Sequence, residues 1–189
     1  MYTNPSNVIK TLAALLDQNA ENLNNRVRVY QPTHNLCVFE GMRNTLPVDA
    51  YPSLEIEPTS GANEWMTTRA QRPRYEFQCT LTVINQEEKF GVEFIGSIAT
   101  GIIEIMTSPE NLQMRILHET KWDPNGGLSD SYMLDSLVDS VTYNAVHEGT
   151  VRTAEFNWWV SVHEPFPESK FSQGLSTTPT VIRPLVIAA

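Results

Sequence analysis

The stretch FNWWVSVHEPF, residues 156–166, constrains the fold more than any other. Its β-branched and aromatic residues read as a strand, and neighbours on a strand point to opposite faces of the sheet. Trp158 and Trp159 therefore cannot share one core. With Phe156, Trp158, Val160 and Val162 facing inward, Trp159 faces the other way beside Asn157 and Ser161. A sheet built on this strand has one face that its own core fills and a second face carrying a tryptophan that needs a cover.

The rest of the chain supplies an α+β frame around that strand. Asn4–Pro5 is a helix start, a capping side chain followed by proline at the first helical position. Val8, Leu12, Leu15, Leu16 and Leu23 then recur at helical spacing, which predicts an amphipathic helix over 5–23 ended by NLNN. RVRVY, 26–30, and LCVF, 36–39, read as short strands. YPSLEIEP, 51–58, alternates Leu54 and Ile56 between prolines and reads as a strand at or near an edge. Residues 59–74 carry no period and read as a long loop. In YEFQCTLTVI, 75–84, Tyr75, Phe77, Cys79, Leu81 and Val83 take one face and polar residues the other, the pattern of an antiparallel sheet with one dry face.

Asn85 and Glu88 form a capping-box pair at the head of a second helix. Its stripe is Phe90, Phe94, Ile98, Ile102 and Ile105, widened by Ile95, and SPE at 108–110 stops it. Leu112, Met114 and Ile116 alternate. Residues 132–146 contain a further strand, in which Leu137, Val141 and Tyr143 share a face only if Asp139 is tolerated or a bulge intervenes. HEGT, 147–150, is a turn, so 137–163 is a hairpin. The expectation is an antiparallel sheet with the N-terminal and central helices on one face. It divides into a domain over 1–163 and a proline-punctuated arm over 164–189, in which Val181, Ile182, Leu185, Val186 and Ile187 make the end apolar. Such a segment is expected to pack on its own domain or on a neighbour.

Composition excludes several roles. A net charge of −9 and a pI near 4.9 argue against a sequence-independent nucleic-acid binder, which needs a clustered basic face. Arg69, Arg72 and Arg74 around Pro73 are the nearest to one and read as a solvated loop. MYTNPSNVIK lacks a signal-peptide pattern. The apolar run from Phe90 to Met106 is interrupted by Glu93 and Glu104 and is read as too short for a bilayer, so the expectation is a soluble chain made in the cytosol. Cys37 and Cys79 are expected as two buried thiols rather than a pair.

No catalytic, cofactor or metal constellation stands out. The histidines are His34, His118, His147 and His163, three of them preceding a glutamate, and adjacent strand residues diverge rather than converge on an ion. Asp130, Asp135 and Asp139 read as a solvated face. Gly126–Gly127 are turn glycines. The remaining signal is surface in need of a cover. Trp159, Trp65, Arg152 and the arm residues Val181, Ile182, Leu185, Val186 and Ile187 are the candidate interface residues, because tryptophan combines large apolar area with a single polar N–H. The competing readings are a monomeric binding module whose arm folds over Trp159, and an enzyme using His147 or His163 with a carboxylate.

The order of elements also resembles a known family. An amphipathic helix comes first, then a proline-flanked strand in LPVDAYPSLEIEP, a long loop, the strand YEFQCTLTV leading into the helix of EEKFGVEFIGSIATGIIEIM, and a hairpin ending VRTAEFNWWVSV. Over residues 5–163 this resembles the tail-terminator, or tail-completion, proteins of tailed bacteriophages. The resemblance implies a non-enzymatic virion subunit without cofactors, assembled in the host cytoplasm into a six-membered ring on the head-proximal end of the tail. Its partners would be its own copies, the tail tube protein and the head connector, with DNA passing the lumen unread and no membrane involved. The segment 59–74 and the arm depart from the simplest members and suit a neck or head-completion protein equally.

Overall fold

The computed structural model describes residues 3–41, 46–47, 50–67, 70–84, 88–111, 114–117, 128–146 and 150–165, with 63–67, 88–89, 128–129 and 146 described by backbone alone. The elements run α1 (Pro5–Gln18), α2 (Ala20–Arg28), β1 (Cys37–Glu40), β2 (Ser53–Thr67), β3 (Ala70–Ile84), α3 (Glu88–Thr107), β4 (Arg115–Leu117), β5 (Leu128–Val146) and β6 (Val151–Pro165), with a 3₁₀ turn at Pro109–Asn111. The six strands form one sheet in the order β1-β2-β3-β6-β5-β4, antiparallel except for the parallel pair β1–β2. The fold is α+β, as the sequence implies.

Asn4 caps α1, its side chain accepting from the backbone N–H groups of Ser6 at 2.6 Å and Asn7 at 3.3 Å. The helical segment then outruns the sequence reading. Asn19 interrupts it for one residue and α2 continues to Arg28, so 26–30 is not a strand. The buried pair Leu23 and Val27 explains the difference. Their spacing of four keeps both on the core side of a helix, whereas Asn22 and Asn25 of the NLNN read as its end are exposed and Asn24 accepts from the Leu36 backbone N–H at 3.0 Å. Arg26 ties α2 to α3, donating to the Ser97 carbonyl at 3.0 Å and to Glu104 at 2.9 Å.

The segment 59–74 is also a correction. It is not a loop but the outer part of a long β2–β3 hairpin, paired from Ser53↔Thr82 out to Thr67↔Ala70. β1 accompanies β2 only as far as Ile56, so beyond that point β2 is an edge, where Pro58 is tolerated. Much of that ribbon meets water on its edge and outer face, as exposed Glu57–Ala62 show, so no hydrophobic alternation betrays it.

The core lies between the inner sheet face and the three helices. Leu54 and Ile56, Phe77, Cys79, Leu81 and Val83, and Ala154, Phe156, Trp158, Val160 and Val162 meet Phe94, Ile95, Ile98 and Ile102 of α3, with Val8, Leu12 and Leu16 of α1. Each fully buried Ile, Leu or Phe contributes on the order of 1.5–3 kcal/mol relative to exposure. The stretch Phe90–Thr107 is long and apolar enough to cross a membrane by length and composition, contrary to the sequence reading. From Phe94 to Ile105 its apolar stripe is nevertheless buried in the core, while Phe90, read as the first residue of that stripe, is exposed. The alternation at 112–118 yields the short β4, with Ile116 buried; Leu112 lies outside the described residues, as do the Asn85 cap, His118, His147 and the turn glycines. Cys79 is buried and Cys37 half-buried, and neither is in a disulfide.

Candidate interaction surface

Register decides what the outer face of the sheet presents. Trp159 of β6 stands opposite Glu76 of β3 on one side and Leu137 of β5 on the other. One row outward, Ser161 stands between Arg74 and Asp135. Beyond that, His163 faces Tyr132, their rings 4.8 Å apart. None of these outer-row residues belongs to the hydrophobic core. The described helices pack on the opposite face, in one core with Phe77, Phe156, Trp158 and Val160.

The two tryptophans divide as strand geometry requires. Trp158 is 1% exposed and stacks on Phe77 with centroids 5.0 Å apart. Its Nε1–H donates to Ser136 Oγ at 2.7 Å, and that hydroxyl donates to the Met106 carbonyl at 2.6 Å. The chain of bonds satisfies the indole N–H inside the core and ties the end of α3 to β5. Trp159 is half-buried on the far face, with the Arg74 guanidinium 4.3 Å from the ring centroid. The arginine covers one side of the indole by a cation–π contact and leaves its charge near the surface.

Leu137 beside it is 58% exposed. Between Val138 and Val141 the ladder advances three residues on β5 against two on β6, a bulge. The bulge changes parity, so Leu137 faces outward with Trp159, while Val141 and Tyr143 face the side of Phe156 and Ala154. The sequence allowed for a bulge but not for this separation. Leu137 and Arg74 are thus the surface residues that sequence reasoning missed. Arg74 is read in the sequence, with Arg69 and Arg72, as part of a solvated loop, and which strand brings it to Trp159 depends on register, which the sequence does not encode locally.

The remaining candidates lie elsewhere. Arg152 is on the inner face, opposite Val83, and lies across α3: a Cβ on Gly91 would come within 2.4 Å of its Nε. The backbone of Trp65 pairs with Gln71 near the hairpin tip. Val181, Ile182, Leu185, Val186 and Ile187 lie outside the described residues, as does Arg69. Among the described residues, four other large apolar residues are exposed, Val29, Phe90, Val92 and Tyr143. Val29 follows α2 and Phe90 lies in the first turn of α3, at the end of the molecule where Tyr30 packs against Phe94 in a tilted pair, with centroids 4.9 Å apart. A groove of about 210 Å³ between the α1–α2 bend and β1, lined by Leu16, Asp17, Leu23 and Val38 among others, contains one titratable side chain.

Beside the outer end of β6 sits a buried polar node. Glu164, 3% exposed, accepts from the Gln71 amide and from the Thr3 backbone N–H, and the Tyr75 hydroxyl donates to the Thr3 carbonyl at 2.8 Å. Burial, then the nearby Glu164 carboxylate, pushes the Tyr75 phenol up to about 12. The node fixes the start of the chain across β3 and β6. His163 and Glu164 point to opposite faces, so this His–Glu pair does not converge. Among the described residues no group of histidine, cysteine and acidic side chains is placed to hold a metal ion.

No protein-family model matches this chain, and no curated protein matches it. Among solved structures it is similar to a chain in the virion of a native gene transfer agent (GTA) particle, with 11% identity and a TM-score of 0.46 over 72% of this chain and 84% of that one.

Proposed function

We propose that the chain is a structural subunit of a phage-like virion that acts by assembly rather than catalysis. In this reading it closes into a ring, with six copies expected, on the head-proximal end of a tail. The ring ends growth of the tail tube and presents a surface to the head connector, while DNA passes through the lumen. The observation that carries the reading is the Leu137–Trp159 pair, an apolar cross-strand couple on a sheet face that no described helix covers. The order of elements, which resembles tail terminators, supplies the particular role.

A ring closes through a heterologous contact, so each subunit needs two different surfaces. The outer sheet face supplies one. The exposed apolar residues Val29 and Phe90, at the α2–α3 end, supply a second that is distinct from it. Trp159 needs a cover, and Arg74 alone leaves part of the ring open to a neighbour.

The role is tested on tube growth. Tail tube protein is allowed to polymerise with and without this chain, and tube lengths are read by electron microscopy. Short tubes carrying a terminal ring are expected, with Trp159→Asp restoring long ones. Tube lengths unaffected by the wild-type chain would refute the terminator role.

A further inference from the structure

We infer that the cover over Trp159 is the C-terminal arm of an adjacent copy, whose apolar end, Val181–Ile187, lies on the Leu137–Trp159 pair. The inference rests on the ring reading and names the element that makes the contact. β6 ends at Pro165, six residues beyond Trp159, or roughly 20 Å along the strand. The residues after it, 166–180, are rich in Ser, Thr and Pro. Fully extended they reach up to about 50 Å, so the apolar end can span from one subunit to the next.

The chemistry of the segment matches the face. VIRPLVIAA carries five large aliphatic residues, the kind of surface that Trp159 and Leu137 lack on their open side. Its single charge, Arg183, would lie over a face that offers Asp135 and Glu76 in the adjoining rows. Pro184 has no N–H, so in a strand added to a free edge its nitrogen could only face away from the sheet, a restriction that side-chain packing on a face does not impose. Pro165 and Pro167 favour a particular direction. Each fixes its own φ and biases the residue before it toward extended backbone. The chain is thereby directed off the end of β6, away from a reversal onto the strand it has just left.

The test uses the full chain in a Cys37→Ser background, Cys79 being buried. One preparation carries Leu137→Cys, a second carries Leu185→Cys, and the two are mixed and oxidised. A disulfide-linked dimer on a denaturing gel is expected from the mixture, since that bond can form only between chains. A chain carrying both substitutions that closes only an internal disulfide, with no dimer in the mixture, overturns the inference in favour of a self-covering arm. Absence of both bonds overturns it too. Native mass separates this failure from failure of the ring itself: a ring that persists without the cross-link leaves the ring reading standing, whereas a monomer with only the internal bond ends both. A chain ending at Pro165 provides the second measurement. It should keep its cooperative melt and lose the ring peak, and a ring that survives the truncation contradicts the inference.

Discussion

Trp158 Nε1 lies 2.7 Å from Ser136 Oγ, inside the core, while the next residue in sequence presents its ring on the opposite face of the same strand. Adjacent tryptophans thus serve different ends. One is satisfied by its own chain through Phe77, Ser136 and the end of α3. Among the described residues, the other has the Arg74 guanidinium over its ring.

The two should separate under mutation. Trp158→Phe keeps the stack on Phe77 but removes the donor to Ser136 and leaves a void, and should cost about 1–3 kcal/mol. Trp159→Phe should cost no more than about 1 kcal/mol, because a phenyl ring keeps a surface for Arg74 and no buried donor is lost. Chemical denaturation reads both. Equal losses of stability would place Trp159 in the fold rather than at an interface.

Gly91 and Arg152 should be coupled. A glycine-to-alanine change inside a helix ordinarily stabilises by about 1 kcal/mol. At Gly91 the new methyl would meet Arg152 Cδ at 2.8 Å as well as Nε, so the arginine must leave its site. A flexible side chain can give way, so Gly91→Ala is expected to stabilise the natural chain by less than it stabilises one already carrying Arg152→Ala. The double-mutant cycle measures this, and equal effects in the two backgrounds would contradict it.

Much of this frame is legible in the sequence, and the failures have physical causes. The Asn4 cap, the alternation of β3, the stripe of α3 and the β5–β6 hairpin are local patterns that report burial directly. The α2 extension is missed because RVRVY also alternates, and only the packing of Leu23 with Val27 selects the helix. The outer β2–β3 ribbon is missed because its exposed residues carry no hydrophobic period. At the surface, Trp159 follows from strand parity alone. Its companions do not, since Arg74 arrives through β3–β6 register and Leu137 through a bulge whose effect on parity depends on the partner strand.

Alkaline pH should weaken the chain through Tyr75. Its phenol is held at about 12 in the fold, above the ordinary value of about 10. A raised folded value means that the folded state keeps the proton longer, so the stabilisation is complete below pH 10 and is lost as pH rises toward 12. Tyr75→Phe should therefore show a shallower fall in urea midpoint over that range. Parallel curves for the two proteins would remove Tyr75 from the effect.

The thiols should differ in reactivity. Burial pushes the Cys79 thiol well above its usual range, and its side chain is fully enclosed, whereas Cys37 on β1 is half-buried. A thiol reagent on the native chain should label Cys37 and reach Cys79 only on unfolding. Equally fast labelling of both would contradict the packing of β3.

The most direct measurement is native mass by light scattering after size exclusion, with negative-stain images of the same peak, repeated with tail tubes present. Closed rings, free in solution or seated on tube ends, are predicted, and Trp159→Asp should abolish them while leaving the fold intact. A chain that stays monomeric at all concentrations and does not bind tube ends would contradict the account.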